Sequence, residues 1–330
     1  MTLPTTSFGS ATRSTSVLGL GAGGPSRLGT RGQADADSER AVQVVRRAVD
    51  LGITFIDTAE TYGTEPHIAA AIRDLPPSVS DTLTICTKHA AFSSADAPPR
   101  SAAEFTAAIE ASIRTLGVDA IDVEQVHGVE PRELDHVREV ILPALVAAKD
   151  RGLIRLIGLT EMFQRDPEHE TLNSVLDDVA EGAPWQSVMV GYNMLNQSAS
   201  GRVLPSARAS KVATIGMFAV RHAMSQPEVL RTIATELATD PRFDADLVQG
   251  DDGEPLSWLL DYAESIPEAA YRFCITDPAP DVLLTGTGSI EHLEANVRAV
   301  ERGPLPAEAV QRLRDALGWV TTETGQRRSR

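Results

Sequence analysis

Short apolar runs rich in β-branched residues alternate along the chain with longer stretches whose apolar positions have helical spacing. The runs cover residues 16–21, 53–57, 83–87, 120–126, 155–159, 187–191, 212–219 and 281–285. They predict strands, and the stretches between them predict amphipathic helices. Because parallel strand pairs need a crossover segment, the alternation predicts an α/β protein with a parallel sheet. Eight units match a closed (β/α)8 TIM barrel better than an open doubly wound sheet.

The alternation is interrupted once, before the eighth predicted strand. Residues 239–277 contain an acidic loop and two predicted helices, and we expect this insertion to lie on or over the active-site side of the barrel. A last amphipathic stretch over 306–320 predicts a helix on the outside of the barrel. The chain 1–330 is then a single barrel domain, with residues 1–14 and 322–330 as flexible tails.

Composition and charge exclude several kinds of partner. The formal net charge of −16 argues against nucleic acid and against an anionic membrane surface. No run approaches the roughly 20 apolar residues of a membrane span, and the Ser/Thr-rich N-terminus lacks the apolar segment of a signal peptide. We therefore expect a cytoplasmic protein. Cys86 and Cys274 lie in apolar runs and are expected to be buried free thiols, and no cysteine or histidine spacing predicts a metal site.

Polar side chains follow three of the predicted strands directly. Asp57 ends the second run, Lys88 follows the third and His127 follows the fourth, while Tyr62 lies in the loop after Asp57. The carboxyl ends of the strands meet at one face of a (β/α)8 barrel, so we expect the four side chains to converge. One such residue alone is more often a helix cap or a structural residue, but the four types together form a working unit.

These four residue types suit the reduction of a carbonyl group. A lysine beside a tyrosine favours the phenolate and lowers the phenol's pKa from its ordinary value of about 10. A carboxylate paired with the lysine keeps the ammonium charged, and a histidine N–H can point at the same oxygen position. The sequence therefore predicts a proton donor beside a small oxyanion site, as hydride addition to a carbonyl carbon requires.

At these residues the chain resembles the aldo-keto reductases. The resemblance covers nearly the whole chain in family order: LGLGAGG (18–24), DLGITFIDTAETYG (50–63), ICTKH (85–89), IDVEQVHGVEP (121–131), RGLIRLIGLT (151–160), GYNMLNQ (191–197) and LTGTGSIEHLEANV (284–297). It implies Tyr62 as general acid, tuned by Lys88 and Asp57. It implies His127 as the donor that orients the carbonyl, and an extended nicotinamide dinucleotide, NADP(H) or NAD(H), across the barrel mouth.

The predicted phosphate site follows the eighth strand. Residues Gly286 to Ser289 read Gly-Thr-Gly-Ser and open a helix, and backbone N–H groups at a helix N-terminus bind anions. A plain glycine-rich turn is the alternative. Arg221, beyond the seventh strand, is a candidate partner for the pyrophosphate, and a solvated surface arginine is the alternative there.

The resemblance implies the remaining cofactor contacts. Thr160 and Glu161 face the nicotinamide carboxamide, Phe218 takes the place of a ring that stacks on nicotinamide, and Asn296 contacts adenine. The full predicted set is Gly21, Gly23, Thr160, Glu161, Phe218, Arg221, Gly286, Thr287, Gly288, Ser289, His292 and Asn296.

Several of these positions depart from the family pattern. Thr160 and Glu161 stand where Ser-Asn is usual, Met189 stands where a glutamine is usual, and His292 stands where many members have an arginine. Residues 286–298 contain no lysine. A 2′-phosphate binds best to strong cations, so NADH stays open beside NADPH.

The glycine-rich run 19–24 satisfies the GxGxxG pattern after a strand. A dinucleotide-binding Rossmann turn would open a helix at once and place an acidic residue about 20 positions on. The next predicted helix begins only near residue 38, which argues against that interpretation. In the barrel interpretation Gly21 and Gly23 belong to the first loop, where small residues let nicotinamide and substrate approach.

The sequence leaves the substrate and the oligomeric state open. The loops expected to line the pocket, including 90–99 and 239–256, are polar, and aromatic residues form only 5% of the chain, which favours a small polar carbonyl or alcohol such as a sugar. An NAD(P)-dependent reductase or dehydrogenase is the leading hypothesis. The alternative is a nicotinamide-binding regulatory or scaffold protein on the same barrel, like the potassium-channel beta subunits, because such proteins keep the same four residues.

Overall fold

A closed barrel of eight parallel strands forms the centre of the protein, in a computed structural model that describes residues 3–9, 14–30, 36–92 and 97–327. The strands are β1 (Thr5–Ser7), β2 (Ser14–Ser16), β3 (Leu18–Gly21), β4 (Phe55–Asp57), β5 (Thr84–His89), β6 (Ile121–Val129), β7 (Ile154–Glu161), β8 (Ser187–Gly191), β9 (Ala213–Met217) and β10 (Val282–Thr285). β1 and β2 form an antiparallel hairpin, and β3 to β10 form the barrel, with β10 paired to β3. The predicted (β/α)8 fold is confirmed.

Helices surround the barrel. They are α1 (Ala36–Asp50), α2 (Glu65–Ile72), α3 (Pro77–Ser80), α4 (Ala102–Leu116), α5 (Leu134–His136), α6 (Leu142–Asp150), α7 (Glu170–Ala180), α8 (Val203–Ala209), α9 (His222–Ser225), α10 (Pro227–Leu237), α11 (Ala245–Val248), α12 (Ile266–Cys274), α13 (Ile290–Glu301) and α14 (Ala307–Leu317). Local signals fix their ends. Ser101 and Glu104 form a capping box at the start of α4, and Gly117 ends it with a φ of 68°. Within the described part of the chain, no helix has the length and apolarity that crossing a membrane requires.

Two apolar clusters build the core. The smaller one fills the barrel interior with Phe8, Phe55, Cys86, Val123, Phe163, Met189, Ala213, Ile215, Met217 and Val282. The larger one lies between the strands and the surrounding helices. Both cysteines, Cys86 and Cys274, are buried free thiols as predicted.

Phe8 closes the amino end of the barrel. Its side chain is 2% exposed, and its ring centroid lies 5.4 Å from that of Phe55 at the start of β4. The polar composition of residues 1–14 predicts a flexible tail, whereas the described part of this segment forms a hairpin strand and a packed plug. The apolar side chain of Phe8 explains the difference, since burying it offsets the cost of ordering the segment.

The insertion before β10 packs against the C-terminal helix. It contains α11, a 3-10 turn over Ser257–Asp261, and α12. Arg312 on α14 donates to the carbonyl oxygens of Leu247 and Gln249 at 2.9 Å each. The predicted insertion and outer helix are both present, and the insertion carries one short helix more than predicted.

The segment after α14 lies on the loops that follow β8 and β9. Asn193 Nδ2 donates to the carbonyl oxygen of Thr324 at 3.4 Å. The backbone N–H of Ala223 donates to the carbonyl oxygen of Gly325 at 3.1 Å. The sequence predicts a flexible tail over 322–330, but its described part, 322–327, is hydrogen-bonded to the barrel. No sequence pattern marks this contact, because the partners are single side-chain and backbone groups on distant segments.

Candidate active site

A buried ion pair lies at the carboxyl ends of β4 and β5. Lys88 Nζ donates to Asp57 Oδ1 at 2.5 Å and to the carbonyl oxygen of Thr58 at 2.8 Å. Lys88 is 1% exposed and Asp57 is 3% exposed. Side chains alternate along a strand, so Lys88 lies on the same inward face as Cys86, which pairs in register with Asp57. The register of two adjacent strands therefore brings the lysine to the carboxylate.

Tyr62 and His127 meet beside this pair. Tyr62 ends a 3-10 turn after β4, and its Oη lies 3.4 Å from His127 Nε2 on β6. The two rings meet edge to face at 82°, and Lys88 Nζ lies 5.1 Å from the centroid of the Tyr62 ring. The structure thus brings together all four side chains that the sequence predicts to converge.

Burial sets the protonation states of the site. Burial alone would lower the pKa of Lys88, but Asp57 beside it raises that pKa above its ordinary value, so the ammonium stays charged. Burial, with a further contribution from the charge of Lys88, lowers the pKa of His127 to about 3. His127 is therefore a neutral imidazole at neutral pH.

The phenol of Tyr62 is protonated. Burial raises its pKa above 10, and this effect exceeds the opposing effect of Lys88. The lowered pKa predicted from the sequence is wrong as a net direction, because the sequence reveals the neighbouring charge but not the depth of burial. A protonated phenol is the form that a proton donor requires.

Gly23 in the first loop packs directly on Tyr62. A Cβ at this position would lie 2.4 Å from Tyr62 Cε2, so only glycine fits without displacing the ring. Gly21 pairs in register with Asp57, and the N–H of Ala22 donates to the carbonyl oxygen of Asp57 at 2.7 Å. The predicted glycines of the first loop therefore lie against the catalytic candidates.

The loop between β10 and α13 presents backbone N–H groups to the first loop of the barrel. The N–H groups of Thr287 and Gly288 have no acceptor among the described residues, and Ser289 caps α13 by accepting from the N–H of His292 at 3.3 Å. Gly288 touches the backbone of Gly29, and Arg40 Nε donates to the carbonyl oxygen of Gly288 at 2.8 Å. This arrangement suits the binding of an anionic group. The cation Arg40 could not be assigned to this loop from the sequence, because it lies 248 residues from Gly288.

The adenine-side candidates lie along α13. Asn296 is half-buried, and its Nδ2 donates to Thr285 Oγ1 at 2.8 Å and to Tyr271 Oη at 3.4 Å. His292 is exposed one turn earlier. Gly286 is also exposed at the start of the loop. Their contacts with a cofactor stay predictions.

Thr160 and Glu161 end β7 with buried side chains. Thr160 Oγ1 donates to Gln125 Oε1, and Gln125 lies on the face of β6 that also carries His127. Glu161 pairs with His169 Nδ1 at 2.9 Å and accepts from the N–H of Gly191 at 2.8 Å. The carboxylate predicted to face the nicotinamide carboxamide thus already has partners within the protein. Gln125 is missed by the sequence analysis, although its position two before His127 places it on the same face.

Phe218 and Arg221 lie together after β9. The Arg221 Cζ is 3.2 Å from the centroid of the Phe218 ring. Arg221 is half-buried with a buried Nε, which does not match the alternative of a solvated surface arginine. Burial lowers the pKa of its guanidinium to about 9. Its predicted contact with the pyrophosphate stays a prediction.

A second buried polar group, formed by His89, Glu124 and Ser112, lies on the opposite face of β5 and is not marked by any sequence motif. His89 follows Lys88 and points to the opposite face of β5, where its Nδ1 lies 2.8 Å from Glu124 Oε1 and its Nε2 lies 3.0 Å from Ser112 Oγ. Glu124 Oε2 has no hydrogen-bond partner among the described residues. Burial raises the pKa of Glu124, and Glu124 raises the pKa of His89 against the effect of burial.

We expect this pair to make stability fall as pH rises. Both pKa values are raised in the folded protein, so it binds more protons than the unfolded chain. The contribution of His89 is fully present below its unfolded pKa of 6.5 and is lost as pH rises through the folded value. Urea unfolding between about pH 6 and pH 9 measures the slope, and Glu124→Gln is expected to flatten it. An unchanged slope in that variant would contradict the assignment.

The structure thus places a protonated phenol, a buried ammonium and a neutral imidazole together at one end of a (β/α)8 barrel. This set suits an oxidoreductase that works on a carbonyl or an alcohol. The family model described as the aldo/keto reductase family matches residues 18–317. The chain belongs to this family. It is an NAD(P)-dependent oxidoreductase.

Two curated relatives are dehydrogenases, and a solved structure shares the fold. The chain is 28% identical to pyridoxine 4-dehydrogenase of Escherichia coli (strain K12) over 309 residues, which covers 88% of this chain and 92% of that protein. It is 24% identical to L-galactose dehydrogenase of Arabidopsis thaliana, covering 79% and 77%. The holo form of aldo-keto reductase AKR11C1 from Bacillus halodurans has the same fold, with a TM-score of 0.70, 20% identity and 96% of each chain covered.

Proposed function

We propose that the protein reduces a small polar aldehyde or ketone, or oxidises the corresponding alcohol, with Tyr62 as the proton donor. The observation that carries this proposal is the meeting of Tyr62 Oη and His127 Nε2, 3.4 Å apart, beside the charged Lys88. A carbonyl oxygen at this point can accept hydrogen bonds from both groups. The negative charge that develops on it is stabilised where it forms.

The four side chains divide the work of proton transfer. Tyr62 gives its proton to the developing alkoxide, and the ammonium of Lys88 stabilises the phenolate that remains. Asp57 holds that ammonium in place and keeps it charged. His127, with a pKa of about 3, orients the carbonyl through an N–H without exchanging its own proton. When bound, the nicotinamide supplies hydride to the carbonyl carbon or takes it up in the reverse direction.

Residues around the β10–α13 loop support NADPH as the preferred cofactor. The N–H groups of Thr287 and Gly288, which have no acceptor among the described residues, are suited to a phosphate. Arg40 donates to the carbonyl oxygen of Gly288 and supplies a cation beside this loop, where residues 286–298 contain no lysine. A guanidinium is well suited to a phosphate because it presents a planar set of donors.

Two observations favour a polar substrate. Glu60 lies in the same 3-10 turn as Tyr62 and pairs with Arg100 at 2.7 Å, so the segment that carries the proton donor also carries charged groups. The relatives named above are dehydrogenases of pyridoxine and of L-galactose, which are both small polar alcohols. A sugar or a comparable hydroxylated molecule is therefore the substrate class we propose, and a cytoplasmic location stays a prediction.

A cofactor-oxidation assay tests the proposed function. We expect NADPH oxidation at 340 nm with some members of a panel of aldehydes, ketones and sugars, and weaker activity with NADH because Arg40 has no phosphate to bind. The midrange turnover of enzymes, on the order of 10 s⁻¹, sets the scale for a good substrate. Tight cofactor binding without turnover on any member would instead indicate a regulatory protein.

A further inference from the structure

The backbone of Phe218 has a conformation that phenylalanine rarely adopts. Its φ is +72°, in the left-handed region that favours glycine. Non-glycine residues stay there only where the surrounding structure holds them, and such positions cluster at ligand sites. Phe218 is also the ring expected to lie against the nicotinamide.

Three contacts hold Phe218 in this conformation. The guanidinium of Arg221 stacks on its ring, with Cζ 3.2 Å from the centroid. Asn193 Nδ2 donates to its carbonyl oxygen at 3.3 Å. The ring of Phe163 lies 6.1 Å away and is tilted by only 24°. One contact fixes the backbone and two fix the ring.

Arg221 has no conventional ionic role in the described structure. No carboxylate among the described residues pairs with it, although the chain has 46 acidic residues, and its buried Nε has no hydrogen-bond partner there. Its Nη1 donates to Gln326 Oε1 at 2.9 Å, and the side-chain oxygen of Gln164 can accept from Nη2 at 3.2 Å. The arginine is thus held by neutral groups with its plane against an aromatic ring, an arrangement suited to stacking.

The C-terminal segment 324–327 contacts two of the three groups that hold Phe218, Asn193 and Arg221. The carbonyl oxygen of Thr324 accepts from the same Asn193 Nδ2 that binds Phe218, and Gln326 binds Arg221. The carbonyl oxygen of Gly325 accepts from the N–H of Ala223 at 3.1 Å. Segment 324–327 therefore packs against the Phe218–Arg221 stack on one side.

We propose that Arg221 and the C-terminal segment 324–327 are positioning residues for the nicotinamide end of the cofactor. They act through Phe218, by holding its ring where the nicotinamide lies. The inference rests on the proposed function, because it takes Phe218 as the nicotinamide-stacking ring. It assigns Arg221 a different role from the predicted contact with the pyrophosphate.

Two ligands separate these roles: NADPH, and 2′-phospho-ADP-ribose, which keeps the pyrophosphate but lacks the nicotinamide. We expect Arg221→Gln to weaken NADPH binding about three- to tenfold, as loss of one aromatic stack does, and to leave 2′-phospho-ADP-ribose binding unchanged. Arg221→Lys keeps the charge but not the planar stack, and should behave like Arg221→Gln. Arg242→Gln is the matched control, since Arg242 stacks on Trp319 with Cζ 4.5 Å from the ring centroid and should leave both affinities unchanged.

Affinities are measured by fluorescence titration and displacement, and thermal unfolding checks each fold. Equal loss for both ligands would assign Arg221 to the pyrophosphate and overturn the proposal, and so would no loss for either. If Arg221→Gln fails to fold, Gln326→Ala removes one tail contact and must weaken NADPH selectively. A wild-type protein that binds neither NADPH nor NADH would overturn the proposed function itself, which distinguishes that failure from a failure of this inference.

Discussion

Tyr62→Phe is expected to lower kcat by about 10²- to 10⁴-fold, the usual contribution of a general acid. The variant removes one oxygen and keeps the ring that packs on Gly23, so the first loop and the cofactor site should stay in place. We expect the affinity for NADPH to stay near the wild-type value. Steady-state NADPH oxidation measures the first effect, and a fluorescence titration of the cofactor measures the second.

A matched control distinguishes loss of the proton donor from loss of a tyrosine hydroxyl in general. Tyr262 lies in the insertion against Trp258, with ring centroids 6.5 Å apart, and Tyr262→Phe should leave kcat unchanged. If Tyr62→Phe turned over good substrates at nearly the wild-type rate, the proton would have to come from another group, and the assignment of Tyr62 would be wrong.

Lys88→Met is expected to damage both stability and catalysis. It leaves the Asp57 carboxylate buried without a partner, which typically costs about 3–5 kcal/mol of unfolding free energy. It also removes the ammonium that stabilises the tyrosinate, so kcat should fall by about 10³-fold or more. Urea unfolding and cofactor oxidation are measured on the same preparation.

The double variant Lys88→Met/Asp57→Asn separates the two effects. It removes both charges of the pair, so the penalty of a lone buried carboxylate disappears and stability should recover relative to Lys88→Met. Activity should not recover, because the tyrosinate still lacks its ammonium. Recovery of activity together with stability would mean that Lys88 serves the fold and not the reaction.

The convergence of the four candidate side chains could be predicted from the sequence because each one directly follows a strand signal or lies in the next turn. Asp57, Lys88 and His127 end or follow apolar runs on three successive strands, and the geometry of a barrel then requires that they meet. Their protonation could not be predicted with the same success. The pKa of Tyr62 depends on burial as much as on Lys88, and burial is a property of the whole packed mouth.

Features that depend on distant contacts were not visible in the sequence. Arg40 and Gly288 are 248 residues apart and meet only because β10 closes on β3. Phe8 and the C-terminal segment 322–327 lie in polar stretches of the sequence, and their anchors are one aromatic ring and a few single side-chain and backbone hydrogen bonds. The sequence shows that Glu161 departs from the family pattern. It does not show that His169 pairs with Glu161, because a single histidine gives no indication of which residue it contacts in the fold.

The pairing of β10 with β3, called the seam below, closes the barrel. The two parts of the site differ in how far apart their residues lie in the sequence. The proton-transfer side chains come from residues 57–127 on consecutive strands, whereas the predicted cofactor cradle joins the last strand to the first loop across the seam. A dinucleotide that contacts both β10 and the first loop would bind only the closed barrel. Its binding would therefore stabilise the β10–β3 pairing against local opening by mass action. We therefore expect ligand occupancy and the pairing of β10 with β3 to be thermodynamically linked.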